Sequence, residues 1–264
     1  MQLNTDKMIA EKRDGVGWMT FNNPERRNAT SLEMWEAIGT IMDDFSSDPD
    51  VRCCVMTGAG DKAFVSGADI SQFKEKRNDA EAAAEYDRVS NESRRKLAEF
   101  EKPLIAMIRG YCLGGGLGVA MSADFRIATE DSQFGIPAAR LGIAYTFENV
   151  KRLIDLVGPS YAKEILITAR RLSAAEAYQV GLINRVVPVN DLESAVREFT
   201  DAITENAPLS MRASKLTIAE IVKDKDERDY ELVEGLKKAC FDSNDYQEGR
   251  EAFMAKRKPE FKGC

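Results

Sequence analysis

The sequence predicts an α/β fold of mostly parallel strands, followed by a helical tail. Short apolar runs that end near glycine alternate with helical patterns through the first part of the chain. Strands that alternate with helices pair in parallel through crossover connections. From Asp191 onward only amphipathic helical patterns remain. We therefore divide the chain into an α/β core at residues 1–190 and a helical region at residues 191–264.

The first predicted elements are a hairpin and a helix. Apolar residues 8–10 and 18–21 flank a turn with two glycines, which is typical of a β-hairpin. A helix follows over about residues 31–46, where apolar side chains recur at helical spacing. Thr30 and Glu33 have the spacing of a capping box at its start. We expect the apolar face of this helix to be core.

The next elements bring glycines to the ends of strands. Between two pairs of predicted strands, about residues 79–100 form a charged helix with a thin apolar stripe. The strands are predicted at residues 51–57, 63–65, 104–108 and 125–128. The helices of the tail are predicted at residues 191–205, 208–221, 229–240 and 246–256. Because no Pro/Gly/Ser linker precedes the tail, we expect it to pack on the core or on a neighbouring subunit.

Composition excludes several classes of function. The net charge of −7 argues against a nucleic-acid surface, which needs clustered Lys and Arg. No apolar run approaches a membrane span and the first residues lack a signal peptide, so we expect a cytoplasmic protein with no membrane partner. The absence of histidine excludes Ser-His-Asp and Cys-His hydrolysis and His-ligated metals. The five cysteines lack zinc spacing, so we expect reduced thiols and no metal.

Two glycine turns are candidates for an anion site. They are Ser66-Gly67-Ala68-Asp69 and Gly114-Gly115-Gly116. A strand that passes through glycine into a helix leaves the first helical N–H groups unpaired. Two such turns in adjacent units place two donors, the N–H groups of Ala68 and Gly115, about 3 Å from one oxygen, as in an oxyanion hole. The alternative is that these glycines only supply tight turns and close packing.

Longer motifs run through nearly the whole chain. They are residues 23–29 (NPERRNA), 58–70 (GAGDKAFVSGADI), 108–116 (IRGYCLGGG), 123–128 (ADFRIA), 134–137 (FGIP), 172–183 (LSAAEA through GLI) and 248–259 (EGREAF to KRKP). Together they resemble the enoyl-CoA hydratase/isomerase, or crotonase, superfamily. The resemblance implies a spiral of repeated ββα units with a C-terminal helical trimerisation region, assembled as a homotrimer or as a hexamer of two trimers.

The resemblance also implies an acyl-CoA ligand and no cofactor beyond its CoA moiety. It makes the N–H groups of Ala68 and Gly115 the oxyanion hole, and it implies that the tail of a neighbouring subunit closes over the CoA. For Arg26, Lys62 and Lys256 the alternative is solvated surface charge. The implied binding residues are Arg26, Lys62, Ala63, Phe64, Ser66, Gly67, Ala68, Asp69, Ile70, Gly114, Gly118, Pro137, Ala138, Leu141, Phe253 and Lys256.

The sequence departs from the family at both acid–base positions. Hydratases that it resembles carry two glutamates, and the corresponding positions here are Gly118 and Ala138. Glu148 and Tyr145 are the nearest catalytic candidates. The alternatives are a helix N-terminal charge for Glu148 and a pocket-lining aromatic for Tyr145, a position where the methylmalonyl-CoA decarboxylase branch also has tyrosine. Asp69 is the third candidate, with a helix cap as its alternative.

Three functional hypotheses follow. The first is an enoyl-CoA hydratase or isomerase in which Glu148 supplies the acid–base group. The second is an acyl-CoA decarboxylase or hydrolase that uses the oxyanion hole with Tyr145 or water. The third is a non-catalytic acyl-CoA-binding protein, which the two missing glutamates keep open.

Overall fold

Ten strands form two sheets within residues 1–69 and 80–264, the parts of the chain that the computed structural model describes. One sheet contains β1 (Met8–Arg13), β2 (Val16–Phe21), β3 (Cys53–Gly58), β5 (Leu104–Ile108), β7 (Phe125–Thr129) and β10 (Arg185–Val187), in that order. The other contains β4 (Ala63–Val65), β6 (Tyr111–Leu113), β8 (Gln133–Gly135) and β9 (Leu172–Ser173), in that order.

Parallel pairing dominates both sheets. The hairpin β1–β2 is antiparallel, as predicted, with Met8 opposite Phe21. The pairs β2–β3, β3–β5, β5–β7 and β7–β10 are parallel, and so are β4–β6 and β6–β8. Only β8–β9 pairs antiparallel among the remaining described strands. The predicted α/β class with crossovers is therefore confirmed.

The described residues contain nine α-helices. They are α1 (Leu32–Ser47), α2 (Ala80–Ala98), α3 (Gly115–Ala120), α4 (Phe147–Thr168), α5 (Ala174–Gln179), α6 (Leu192–Thr204), α7 (Pro208–Ile221), α8 (Tyr230–Phe241) and α9 (Asn244–Ala255). The four predicted tail helices correspond to α6–α9. The apolar stripe predicted for α2 is buried, since Tyr86, Val89 and Leu97 are at most 8% exposed.

The predicted capping box of α1 is wrong. The residue that precedes the helix is Ser31, and its side chain makes no capping hydrogen bond. The Thr30 hydroxyl lies 3.4 Å from the carbonyl oxygen of Gly67, and Glu33 pairs with Lys7 at 2.6 Å. Thr30 is one residue too early because its backbone pairs with the chain after β4.

The six-stranded sheet is packed on both faces. One face joins the main core with α1, where Trp35 and Phe45 are at most 1% exposed. The other face, which includes Trp18 and Ile105, is covered by α6 through residues such as Val196. The first helix of the C-terminal region therefore packs on the core, while the division at residue 190 stays a prediction.

Polar contacts attach the rest of the C-terminal region. Lys215 of α7 pairs with Asp124 at 2.7 Å. The buried carboxylate of Asp245 accepts the N–H groups of Lys262 and Gly263 at 2.7 and 2.8 Å.

Along the described ranges, no helix is long and apolar enough to cross a membrane, and no cluster of three or more His, Cys, Asp or Glu side chains is arranged to hold a metal ion.

Candidate functional site

The first predicted donor lies in the segment that follows β4. The Gly67 carbonyl accepts the N–H of Thr30 at 2.9 Å, and the Asp69 N–H donates to the Thr30 carbonyl at 2.9 Å. Successive peptide groups of an extended segment point to opposite sides. The Gly67 carbonyl and the Asp69 N–H both face Thr30. The N–H of Ala68, which lies between them, therefore points away from Thr30.

Asn28 holds this segment in place. Its buried side-chain amide donates to the carbonyls of Ala59 and Ala63, at 3.0 and 2.7 Å, and accepts the N–H of Asn23 at 2.9 Å. A buried amide with three hydrogen bonds fixes the strands and turns that it joins. The motif at residues 23–29 thus supports the first donor, a role that the sequence analysis did not assign.

The second predicted donor begins α3. Gly115 is the first residue of this helix, so its N–H has no acceptor within the helix. The preceding peptide carbonyl, that of Gly114, accepts the N–H of Gly118 at 3.1 Å and the hydroxyl of Tyr145 at 2.8 Å. The Gly114 N–H donates to Gly135 at 2.8 Å. These bonds fix the peptide group whose N–H belongs to Gly115.

The two turns approach each other closely. A Cβ atom on Gly115 would lie 3.8 Å from the Ala68 nitrogen, and both residues are half-buried. Gly67 adopts a φ of +119°, which favours glycine. A Cβ atom on Gly116 would lie 2.0 Å from the Val65 carbonyl oxygen, so only glycine lets α3 approach β4 this closely. The structure therefore brings together the two N–H groups that the sequence analysis paired.

A cavity of about 730 Å³ opens beside Gly115 and Gly118. Its walls come from α2, the residues before α4, and the first turns of α4. Charged and amide side chains of this wall include Arg94, Arg95, Glu99, Glu148, Asn149 and Arg152. The second turn therefore adjoins a cavity whose walls carry several charged and amide side chains.

Tyr145 lies at the junction of the cavity and the second turn. Burial raises the pKa of its hydroxyl to about 12, so this group remains a donor at neutral pH. Its oxygen and the Oδ1 atom of Asn149 each lie 3.6 Å from the Cβ position of Gly118. A hydroxyl and an amide thus stand beside the position where the related hydratases are expected to carry their first glutamate.

The second position without a glutamate lies on a short 3₁₀ helix, Pro137–Leu141. Ala138 is partly buried against the core, and Pro137 Cδ lies 3.9 Å from the Cβ position of Gly114. Leu141 is 55% exposed. Pro137 thus packs against the second turn. Neither Ala138 nor Gly118 supplies a carboxylate.

The residues predicted to hold the CoA moiety have different surroundings. Arg26 and Lys62 are exposed on the surface, while Ser66 is half-buried. Ala63 and Phe64 are buried in the core, so only their backbone groups are available to a ligand. Ile70 lies outside the described residues.

The tail residues lie elsewhere on the same chain. Phe253 is 82% exposed and lines a different cavity, together with Phe241 and Phe261. Lys256 follows the end of α9. The single chain thus does not bring Phe253 to the two N–H groups, and its predicted role depends on a neighbouring subunit.

The sequence analysis missed Arg152 and Asn149. Both lie on α4 and line the cavity. The Nη1 atom of Arg152 donates to the Ser122 hydroxyl at 3.0 Å, and burial lowers the pKa of its guanidinium. The i, i+4 spacing indicates that residues 148 and 152 share a helix face, but it does not indicate that this face lines the cavity.

Comparison with known proteins identifies the family. The enoyl-CoA hydratase/isomerase family model matches residues 11–264. The chain is 35% identical over 260 residues to a short-chain-enoyl-CoA hydratase of Clostridium acetobutylicum, covering 98% of each chain. It is 32% identical to a methylmalonyl-CoA decarboxylase of Escherichia coli, covering 94% of this chain and 95% of the relative. A crystal structure of an enoyl-CoA hydratase/carnithine racemase from Magnetospirillum magneticum superposes with a TM-score of 0.93 at 32% identity, covering 99% and 97% of the two chains. The chain therefore belongs to the enoyl-CoA hydratase/isomerase family and has the crotonase fold.

Proposed function

We propose that this acyl-CoA enzyme stabilises the enolate of a CoA thioester between the N–H groups of Ala68 and Gly115. The observation that carries the proposal is the close approach of these two turns, with a 3.8 Å separation between the Gly115 Cβ position and the Ala68 nitrogen. An enolate oxygen carries the negative charge that such preorganised donors stabilise. Removal of one donor of this kind typically costs about 10²- to 10³-fold in kcat.

We assign proton transfer on an enoyl-CoA to Glu148. It lines the same cavity as Gly115, and its exposed carboxylate forms no ion pair within the described residues. Glu99, another carboxylate of this cavity, is paired with Arg95 at 2.5 Å. Tyr145 is unsuited to act as a base, because its pKa is raised and its proton is donated to Gly114.

Glu148→Gln tests this assignment, with Glu99→Gln as the matched control. Turnover is measured on a 2-enoyl-CoA and a 3-enoyl-CoA, and binding is measured with acetoacetyl-CoA, whose enolate absorbs in the ultraviolet. We expect Glu148→Gln to lower turnover by about 10²- to 10⁴-fold and to leave binding intact, because only proton transfer is removed. Unchanged turnover would contradict the role of Glu148. Failure of the wild-type protein to bind acetoacetyl-CoA would contradict the enolate site itself.

Decarboxylation is the second candidate reaction. It forms a thioester enolate when the C–C bond breaks and CO₂ leaves, so it needs the oxyanion hole but no base, and the α carbon of the enolate then takes up a proton from water. The absence of a carboxylate at Gly118 and the presence of the Tyr145 hydroxyl there favour it. Release of CO₂ from malonyl-CoA or methylmalonyl-CoA, without turnover of enoyl-CoA, would select this reaction. Release of free thiol alone would select hydrolysis.

Assembly and location complete the proposal. We assign the CoA phosphates to Arg26 and Lys62, and the closing residues Phe253 and Lys256 to a neighbouring subunit of a trimer or hexamer. Exposed apolar side chains in the C-terminal region, including Ile218 and Met254, support such contacts. We expect no cofactor beyond the CoA moiety and a cytoplasmic location. Analytical ultracentrifugation would distinguish monomer, trimer and hexamer by mass.

A further inference from the structure

Arg152 is a half-buried cation whose guanidinium forms no ion pair with the residues that the structure describes. Its Nη1 atom donates to the Ser122 hydroxyl at 3.0 Å. No carboxylate oxygen of the described residues lies within 4.0 Å of it. Burial lowers the pKa of this guanidinium, which means that removing the cation from water carries a cost. A partly desolvated arginine at a cavity wall gains stability when an anion binds to it.

Arg152 and Gly115 line the same cavity, and Arg152 is bonded to a residue that lies beyond the far end of the helix that Gly115 begins. Ser122, which holds Arg152, follows α3 and lies seven residues after Gly115. The helix α3 ends two residues before Ser122, and at a rise of about 1.5 Å per residue its six residues span about 9 Å. The cavity between Gly115 and Arg152 is lined by Gly118 and Tyr145. An acyl chain of several carbons, with its thioester at Gly115, therefore brings its far end to Arg152.

The charges of the cavity are distributed unevenly. Its carboxylates, Asp87, Glu99 and Glu148, are all exposed. Its two half-buried charged side chains, Arg94 and Arg152, are both positive. The formal charges of the lining residues sum to zero, but a charge is felt more strongly where water is excluded, so half-buried Arg152 contributes more to the field inside the cavity than the exposed carboxylates do.

The neighbours of Arg152 leave room for an anion. Glu148 lies one turn earlier on α4, and its charge raises the pKa of Arg152, yet the two form no ion pair. Arg95 is already paired with Glu99. The guanidinium of Arg94 stacks on the Trp35 ring at 4.3 Å from the centroid. Arg152 is thus the cation of this cavity that is best placed to bind a ligand directly.

We propose that the acyl group of the substrate ends in a carboxylate that Arg152 binds, so that the substrate is a CoA monothioester of a dicarboxylic acid. This inference rests on the proposed thioester site at Ala68 and Gly115. Arginine matches a carboxylate with two parallel N–H donors, which lysine does not. The cavity therefore selects for the far end of the acyl chain, independently of the reaction at its thioester.

Binding of unreactive thioesters tests the inference. Dissociation constants are measured by calorimetry for glutaryl-CoA, for its terminal methyl ester, which is neutral, and for hexanoyl-CoA. The wild-type protein is expected to bind glutaryl-CoA at least 10-fold more tightly than the ester. Arg152→Gln is expected to weaken glutaryl-CoA binding by about 10- to 100-fold, the effect of losing a hydrogen bond to a charged group, and to leave the ester unchanged.

Control variants separate recognition from structure. Arg95→Gln removes an equal charge from the exposed rim and is expected to change the binding of all three thioesters alike. Arg152→Lys keeps the charge and is expected to retain part of the preference. Ser122→Ala removes the hydrogen bond that orients Arg152 but keeps the guanidinium. It is expected to reduce the preference for glutaryl-CoA over its ester, and it provides a test if Arg152→Gln does not fold.

Two results would overturn the inference. One is equal wild-type affinity for glutaryl-CoA and its ester. The other is an equal loss for all three thioesters in Arg152→Gln, which would make Arg152 a structural residue. Failure of the proposed thioester site looks different, because then none of the three thioesters would bind, and carboxylate recognition would fail with it.

Discussion

Gly116→Ala should separate the two donors of the proposed oxyanion hole. The new Cβ would lie 2.0 Å from the carbonyl oxygen of Val65, whereas ordinary contact begins at 3.4 Å. Because the obstructing atom belongs to the backbone, a side-chain rotation cannot relieve the clash. The start of α3 must therefore move away from β4 by about 1.4 Å. Gly115 moves with it, while Ala68 stays bonded beside Thr30.

The expected loss follows from this displacement. A misplacement of about 1 Å in a catalytic site can cost 10²-fold, and an oxyanion donor is worth about 10²- to 10³-fold in kcat. Overpacking of this kind also costs about 1–3 kcal/mol in the free energy of unfolding. We therefore expect Gly116→Ala to lower turnover and enolate binding by at least about 10²-fold, with only a moderate fall in the melting temperature.

Ultraviolet titration of bound acetoacetyl-CoA measures the effect directly. The wild-type protein should raise the enolate fraction of this ligand, and Gly116→Ala should not. Gly235→Ala is the matched control, since Gly235 also lies in a helix but a Cβ atom there meets no atom within 4 Å. Full enolate formation by Gly116→Ala, with an unchanged melting temperature, would refute the reasoning, because it would mean that α3 does not depend on close contact with β4.

Four further predictions concern individual side chains. Tyr145→Phe should weaken acetoacetyl-CoA binding by about 10-fold by removing the donor to Gly114, without changing the pH profile below about pH 10; a changed profile would make Tyr145 a titrating group instead. Folding raises the pKa of Tyr145 from about 10 in the unfolded chain to about 12. The stabilising contribution of Tyr145 is therefore complete below about pH 10 and is lost between about pH 10 and 12. The difference in unfolding free energy between wild type and Tyr145→Phe should shrink over that range. Asp245→Ala should lower the free energy of unfolding by about 1–3 kcal/mol, measured by urea denaturation, because two N–H groups lose their acceptor; no change would mean that water replaces it. A thiol reagent at neutral pH should label two cysteines in the native protein and five after denaturation. Burial raises the pKa of the thiols of Cys53, Cys54 and Cys112, whereas Cys240 and Cys264 are accessible. Five labels in the native protein would contradict the buried positions.

The elements were predictable from the sequence because local patterns determine them. The β1–β2 hairpin was predicted from two apolar runs that flank a glycine turn, and the helices α6–α9 were predicted from apolar periodicity. The turn after β4 was predicted from the glycine that ends this strand. The start of α1 was misjudged by one residue, since Thr30 and Ser31 both suit a cap. The choice between them depends on the pairing of Thr30 with the chain near Ala68, a contact distant in sequence.

The cavity was only partly predictable. The donors at Ala68 and Gly115 could be paired because both lie in glycine turns that follow predicted strands. Arg152 could not be placed, because its partner Ser122 is 30 residues away and its burial depends on how α4 packs beside α3. The asymmetry between half-buried arginines and exposed carboxylates likewise appears only after the helices are packed, since composition gives charge but not depth.

The turns proposed to bind the enolate and the side chains proposed for acid–base chemistry are physically separable. The Gly115 N–H is oriented by backbone bonds at Gly114, one of which comes from the N–H of Gly118. Any residue other than proline at position 118 would supply that N–H, so the side chain there can change without disturbing the donor. A Cβ on Gly118 meets only ordinary contacts, at 3.6 Å, which means that space is not what excludes a glutamate. A chain without both glutamates can therefore keep the proposed enolate site, and we expect Glu148 to determine its reaction and Arg152 to determine which acyl group it accepts.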